Sequence, residues 1–260
     1  MKNITVLFFL LFLILLSSCS KYQYATISSD LKENEIGEQV IDNDTIQIRY
    51  SFDGYNCPVK IYIYNKLGIP LYIDWSKSAL VHNGQSFSYW KDVSVLHANS
   101  SGYEIRWTGY VSTTNNTING SLEREAIINF IPPRSSIQAN RFSVKSKFFE
   151  FTEQDKMSKI KINTVNGVSK VRQYLFTSDK TPLKYRSYLT LSTDESFKTS
   201  FYYDDTFWVS EVLETTTAPQ SFLTPPGEDS DKFYLRKTTG GGLFLLLGVI
   251  ILIWAVSNNQ

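Results

Sequence analysis

Short runs in which apolar and polar residues alternate strictly, each closed by turn residues, limit what this chain can fold into more than any other feature. In residues 45–52, Ile46, Ile48 and Tyr50 sit between polar neighbours, and in residues 59–64 Val59, Ile61 and Ile63 alternate with Lys60, Tyr62 and Tyr64. Successive strand side chains point to opposite faces, so each run offers one face to a core. Asn65 to Pro70 supplies turn residues before residues 71–75, which predicts a hairpin. Further strands are expected at 86–90, 103–107, 126–131, 137–144, 188–192, 200–203 and 207–213. Pro132-Pro133 closes the 126–131 run, since proline cannot donate to a ladder. Aromatic residues make up 15% of the chain, a composition that suits pleated sheet. The one helix expected in this middle region is short, at residues 153–159.

The two ends are apolar. Met1-Lys2-Asn3 leads into an uncharged run from Val6 to Leu16, followed by Ser17, Ser18 and Cys19. A positive start, a short apolar run and small residues describe an export signal over residues 1–18 rather than a spanning helix. Leu16-Ser17-Ser18-Cys19 resembles the lipobox of bacterial lipoproteins. The resemblance implies lipidation of Cys19 by diacylglyceryl, cleavage before it and anchoring by several acyl chains. Ser20, where an Asp would favour inner-membrane retention in some bacteria, leaves the membrane undecided.

At the other end, Gly240-Gly241-Gly242 precedes an uncharged run over residues 243–256. Trp254 on one side and Arg236 with Lys237 on the other are placed like interfacial anchors. Residues 240–256 are expected to form a hydrophobic, membrane-inserted helix, which favours the inner membrane. Between the ends, residues 19–43 read as a tether, 44–216 as an all-β domain of one or two subdomains, and 217–239 as a Pro- and Gly-bearing linker. Spacing and alternation point to an antiparallel β-sandwich with an immunoglobulin-like layout. The stretch 65–85, with Leu71-Tyr72-Ile73-Asp74-Trp75-Ser76 and Asn83-Gly84-Gln85, and the later Ile131-Pro132-Pro133-Arg134-Ser135, is similar to uncharacterised lipoproteins of Bacteroidetes. That likeness implies a fold and no chemistry.

Little in the sequence carries chemistry. The 26 basic and 25 acidic residues are interspersed for a formal net charge of +1, and no basic tract indicates a nucleic-acid partner. His82 and His97 stand at no ligand or triad spacing. Asp42-Asn43-Asp44 resembles the start of a calcium loop but lacks its glycine and distal glutamate. Asp194-Glu195 and Asp204-Asp205 are candidate carboxylate pairs whose separation the sequence does not set, and they read as solvated turns. With Cys19 lipidated, Cys57 has no disulfide partner and reads as a core or turn residue. Gly240-Gly241-Gly242 lacks the lysine of a phosphate loop, and residues 115–120 read as a polar hairpin tip. Trp75, Trp90, Trp107, Trp208, Tyr62, Tyr64, Tyr72, Tyr89 and Tyr110 are expected mainly in the core, with a stacking surface for sugars or a partner as the alternative.

The expectation is therefore a membrane-anchored envelope lipoprotein acting as a noncatalytic interaction or scaffold module. The alternative is a glycan-binding or glycan-processing envelope lipoprotein. Lipidation falls on Cys19; no catalytic residue, metal or cofactor is expected. The partners are membrane lipid, through Cys19 and the C-terminal helix, and an unknown envelope protein, with the domain facing the periplasm.

Overall fold

A computed structural model describes residues 20–90, 94–106, 112–124, 126–152, 155–222 and 229–238. The signal at residues 1–18, Cys19, Trp107, Tyr110 and the candidate span at 240–256 lie outside them. Among the described residues no helix is long and apolar enough to cross a membrane. The regular structure of the described residues is nearly all β, 63% strand against 2% helix. In order it forms β1 (Ser20–Ser29), β2 (Lys32–Glu33), β3 (Gln39–Asp42), β4 (Ile46–Ser51), β5 (Gly54–Tyr55) and β6 (Pro58–Asn65). There follow β7 (Leu71–His82), β8 (Gln85–Ser88), β9 (Ser94–Arg106), β10 (Ser112–Arg124), β11 (Ile128–Ile131) and β12 (Ser136–Ser143). The last elements are β13 (Met157–Thr164), β14 (Gly167–Leu175), β15 (Lys184–Ser192), β16 (Ser200–Thr215), a four-residue helix α1 (Pro219–Phe222) and β17 (Lys232–Thr238). The chain divides into two compact units, one drawn from residues 1–63, 138–184 and 206–260, the other from 64–137 and 185–205.

In the first unit the alternation read from sequence is realised in β4 and β6, where Ile46, Ile48, Tyr50, Val59, Ile61 and Ile63 are fully buried. These strands belong to a sheet ordered β12-β6-β4-β3-β2. Tyr50 and Phe52 meet Phe207 of β16 edge-on, at ring-centroid distances of 4.9 and 5.3 Å. One sheet thus packs on the other through aromatic edges. The second sheet runs β16-β1-β17-β5 here, with β14 on the other edge of β16 and β13 beyond it. Its pairings are antiparallel except for the short β17–β5 contact.

Three expectations are corrected in this unit. Residues 19–43 are no tether where they are described, since β1 lies between β16 and β17 with Tyr22, Gln23, Tyr24 and Ala25 all buried. A strand covered on both faces carries no alternation to read. Gln23, the polar residue among these four, is satisfied by a distant segment: its amide donates to the Phe149 carbonyl at 3.0 Å and accepts from the Phe149 N–H at 2.8 Å. Residues 217–239 are no plain linker either, because they contain α1 and β17, whose Phe233 and Leu235 are fully buried. The helix expected at 153–159 is absent from its described part, where β13 begins at Met157 and pairs along its whole length with β14; residues 153–154 lie outside the described residues.

In the second unit β7 carries a bulge opposite β15, where the register jumps between Tyr188 and Thr190. Asp74 organises it: one carboxylate oxygen accepts from the N–H and hydroxyl of Ser76 at 3.0 and 2.6 Å and from the Lys77 N–H at 3.2 Å. The Ser78 hydroxyl donates to the Asp74 carbonyl at 2.6 Å and accepts from the Thr190 N–H at 2.9 Å. Backbone groups that the bulge removes from the ladder are thereby paired again. β7 turns into β8 through Asn83 and Gly84, both at positive φ (49° and 74°), the conformation an Asn-Gly hairpin turn requires. β9 and β10 form a separate two-stranded ladder that places residues 115–120 within β10, not at a hairpin tip.

The hairpin expected from β6 into β7 does not form, since the two strands belong to different sheets. Asn65 makes a corner instead: its amide donates to the carbonyls of Ile69, Ile131 and Pro132, and its oxygen accepts from the Leu67 N–H. A buried amide tied to three carbonyls fixes a change of direction that a two-strand turn does not need.

Candidate functional site

The chain's first and last described residues are register partners. Ser20 faces Thr238 across the β1–β17 ladder, Lys21 faces Lys237 and Tyr22 faces Arg236. At this same end of the sheet β16 finishes and the β13–β14 hairpin turns, because Tyr22 is level with Thr215 and Arg172 with Glu214.

Alternation on β13 and β14 sorts the side chains by face. Ile160, Ile162 and Val171 pack with Tyr22, Tyr24 and Leu213, and Phe222 of α1 covers this apolar side, stacking on Tyr24 at 3.9 Å. The Tyr24 hydroxyl donates to the Thr217 carbonyl at 2.9 Å. Burial, reinforced by Tyr22 and Tyr234, pushes its ionisation far above the usual phenol range.

The intervening residues make the opposite face cationic. Lys159 stands directly across from Arg172, and Lys161 across from Lys170. With Lys21 and Glu214 these four line a shallow groove of about 510 Å³. Glu214 accepts a 2.6 Å hydrogen bond from Arg172, whose side chain is 46% exposed. Like charges directly opposite on neighbouring strands repel, and the groove sets five cations against the carboxylate of Glu214, with Ile160, Val171, Thr215 and Thr216 completing its lining. The hairpin turn beyond it exposes Val165 and Val168 to 76% and 65%. The turn is held to α1 by the Val165 N–H, which donates to the Ser221 carbonyl at 3.0 Å, and by the Asn166 amide on the Ser221 hydroxyl.

The candidates read from sequence are dispersed and committed elsewhere. Asn43, in the supposed calcium loop, accepts the N–H groups of Thr45 and Ile46 and shapes the β3–β4 turn. Asp194 accepts from the Ser196 hydroxyl and the Ser196 and Lys198 N–H groups, which hold its carboxyl below the usual range. Asp204 pairs with Arg186 at 3.3 Å, and Asp205 follows it on the same strand with its side chain toward the other face. Cys57 is fully buried in a turn at positive φ, its carbonyl accepting from the Val144 N–H. His82 closes the β7–β8 ladder opposite Gln85, and His97 lies in β9 opposite Ser121. Among the described residues no group of three His, Cys, Asp or Glu is placed to hold a metal.

Of the aromatic residues, Trp75 and Tyr89 are core, meeting edge-on at 6.3 Å. The Trp75 indole donates to Asn129 at 2.6 Å and the Tyr89 hydroxyl to Ser187 at 2.9 Å. Tyr62, Tyr64, Tyr72, Trp90 and Trp208 are half-buried. Within the second unit, Tyr188 and Tyr202 stack at 5.2 Å and 19°, with Tyr202 64% exposed.

The cationic groove was legible in principle. Lys159-Ile160-Lys161-Ile162 and Lys170-Val171-Arg172 alternate with period two on either side of Asn166-Gly167. A balanced net charge and a helix assigned across Lys159 hid it. No family model, no curated protein and no solved structure matches the chain, so the reading of the groove rests on its own geometry.

Proposed function

We propose that this chain is an envelope lipoprotein, lipidated on Cys19, whose β-sandwich, with an immunoglobulin-like layout, acts as a noncatalytic interaction module held at a membrane. The observation that carries the reading is the pairing of Ser20 with Thr238. Ser20 follows the lipobox and Thr238 lies two residues before the apolar segment at 240–256, so their pairing supports a reading in which both attachments serve one membrane from one edge of the domain. In-cell crosslinking with purification of the tagged full chain tests the module role. Recovery of one abundant envelope protein that is lost on Cys19→Ala supports a membrane-dependent scaffold, and a hydrolase activity abolished by Asp204→Asn refutes the noncatalytic reading. Incorporation of an acyl-chain analogue into wild type but not into Cys19→Ala is the expected result for lipidation.

A glycan-binding reading is supported by the Tyr188–Tyr202 stack beside the Arg186–Asp204 ion pair. An exposed aromatic face next to hydrogen-bonding groups suits the apolar face of a sugar ring. A glycan array showing binding that disappears in Tyr202→Ala would establish it; no binding by wild type would remove it.

A further inference from the structure

We propose that the cationic end of the β13–β14–β16–β1 sheet seats on the phosphates of anionic phospholipids, in the bilayer that holds the chain's own ends. The proposal rests on the anchoring reading above, and three independent features carry it.

The first is reach. An extended chain covers about 3.5 Å per residue, so Lys21 stays within about 7 Å of Cys19. With Lys237 directly across from Lys21, this edge cannot be lifted far from the headgroups.

The second is charge. Lys21, Lys159, Lys161, Lys170 and Arg172 line one groove with Glu214 as the acidic side chain among its lining residues, already engaged by Arg172. The Lys161/Lys170 and Lys159/Arg172 cross-strand pairs keep unfavourable proximity that bound phosphate groups would relieve. Arg236 does not belong to this face; its guanidinium donates to the Ser20 hydroxyl on the other side of the sheet.

The third is the hairpin tip. Extending the register from Arg172/Glu214 places Gly167 level with Pro219, whereas Ser20 is level with Thr217. The tip therefore projects past the start of β1, carrying exposed Val165 and Val168. Apolar side chains standing beyond a ring of cations match the order of layers met at a bilayer surface, phosphate first and hydrocarbon beneath it. Two valines contribute little area, so the cations supply most of the attraction and the seat is sensitive to salt.

The test uses the lipidated full chain with Val165→Cys carrying an environment-sensitive fluorophore, since Cys57 is buried and Cys19 is acylated. The protein is reconstituted into vesicles of phosphatidylcholine alone, or of equal phosphatidylcholine and phosphatidylglycerol. Flotation reads anchoring and emission reads seating. The expected result is flotation with both vesicles and a blue-shifted emission only with phosphatidylglycerol. Lys161→Gln and Lys170→Gln should each lower the seated-to-lifted ratio about fivefold. Flotation with the same emission in both vesicles overturns the seat while leaving anchoring intact. Failure to float takes down both readings. Loss of the shift on adding inorganic phosphate, but not sodium chloride of equal ionic strength, would reveal a discrete phosphate site and also overturns the proposal.

Discussion

Asp231 shows how a single side chain sets a pH response. Burial lifts its carboxyl to about 6 from an ordinary 3.8, against the opposing pull of Lys232. The folded state thus binds this proton more tightly than the unfolded state does. The contribution is fully present below about pH 4 and is lost as the pH rises through about 6. Asp231→Asn is expected to raise the urea midpoint at neutral pH and to flatten its dependence between those values; an unchanged slope would show that Asp231 is not the titrating group. Its neighbour Gly37 has φ of +80°, and a β-carbon there would stand 2.7 Å from the Asp231 carboxylate. Gly37→Ala should cost about 1–3 kcal/mol, measured by denaturant unfolding. Asp74 has a larger role, because its carboxylate and carbonyl together re-pair the β7 bulge. Removing a buried acceptor strands several donors, so Asp74→Ala should cost about 3 kcal/mol in the same assay.

The β13–β14 hairpin separates stability from function at the scale of an element. Lys161 faces Lys170, so Lys161→Glu turns a repulsive cross-strand pair into an attractive one. It should stabilise the fold by about 0.5–1 kcal/mol while removing a cation from the groove. A thermal melt that rises while the lipid response falls would separate the two roles; a melt that falls would show that the lysine pair is structural. The same hairpin shows where sequence reasoning stops. β4 and β6 are legible because one face of each is buried and period two survives; β15 is read from its apolar and aromatic residues alone, since Leu189 to Ser192 are buried on both faces. β1 and β17 are not legible, since both faces of β1 are covered and β17 follows a run of Pro and Gly. The β6–β7 corner depends on Asn65 reaching the carbonyls of Ile131 and Pro132, far along the chain, which no local pattern contains. The groove unites residues from β1, β13, β14 and β16, so its charge density appears only when the register is known.

Because β1 lies between β16 and β17, the first described strand completes its pairing only when the last described strands are in place. Folding must therefore close a loop of nearly the whole chain, a slow step by its length and non-local contacts. The consequence can be tested by truncation at two points. A chain ending at Thr238 loses the apolar C-terminal segment and keeps β17, with Phe233 and Leu235 still in the core. It should melt within a few degrees of the full chain and remain on the membrane through lipid at Cys19. A chain ending at Ser230 loses both core residues and uncovers one edge of β1. Each large apolar side chain withdrawn from a core costs about 2–5 kcal/mol, and a domain of this kind holds only about 5–15 kcal/mol in total. This shorter chain should lose cooperative unfolding and become protease-sensitive, although the two truncated chains differ only by Asp231 and the last strand. Equal stability of both would show that β17 is an accessory to the sheet, and the pairing of Ser20 with Thr238 could then no longer join the two ends at one edge of the domain.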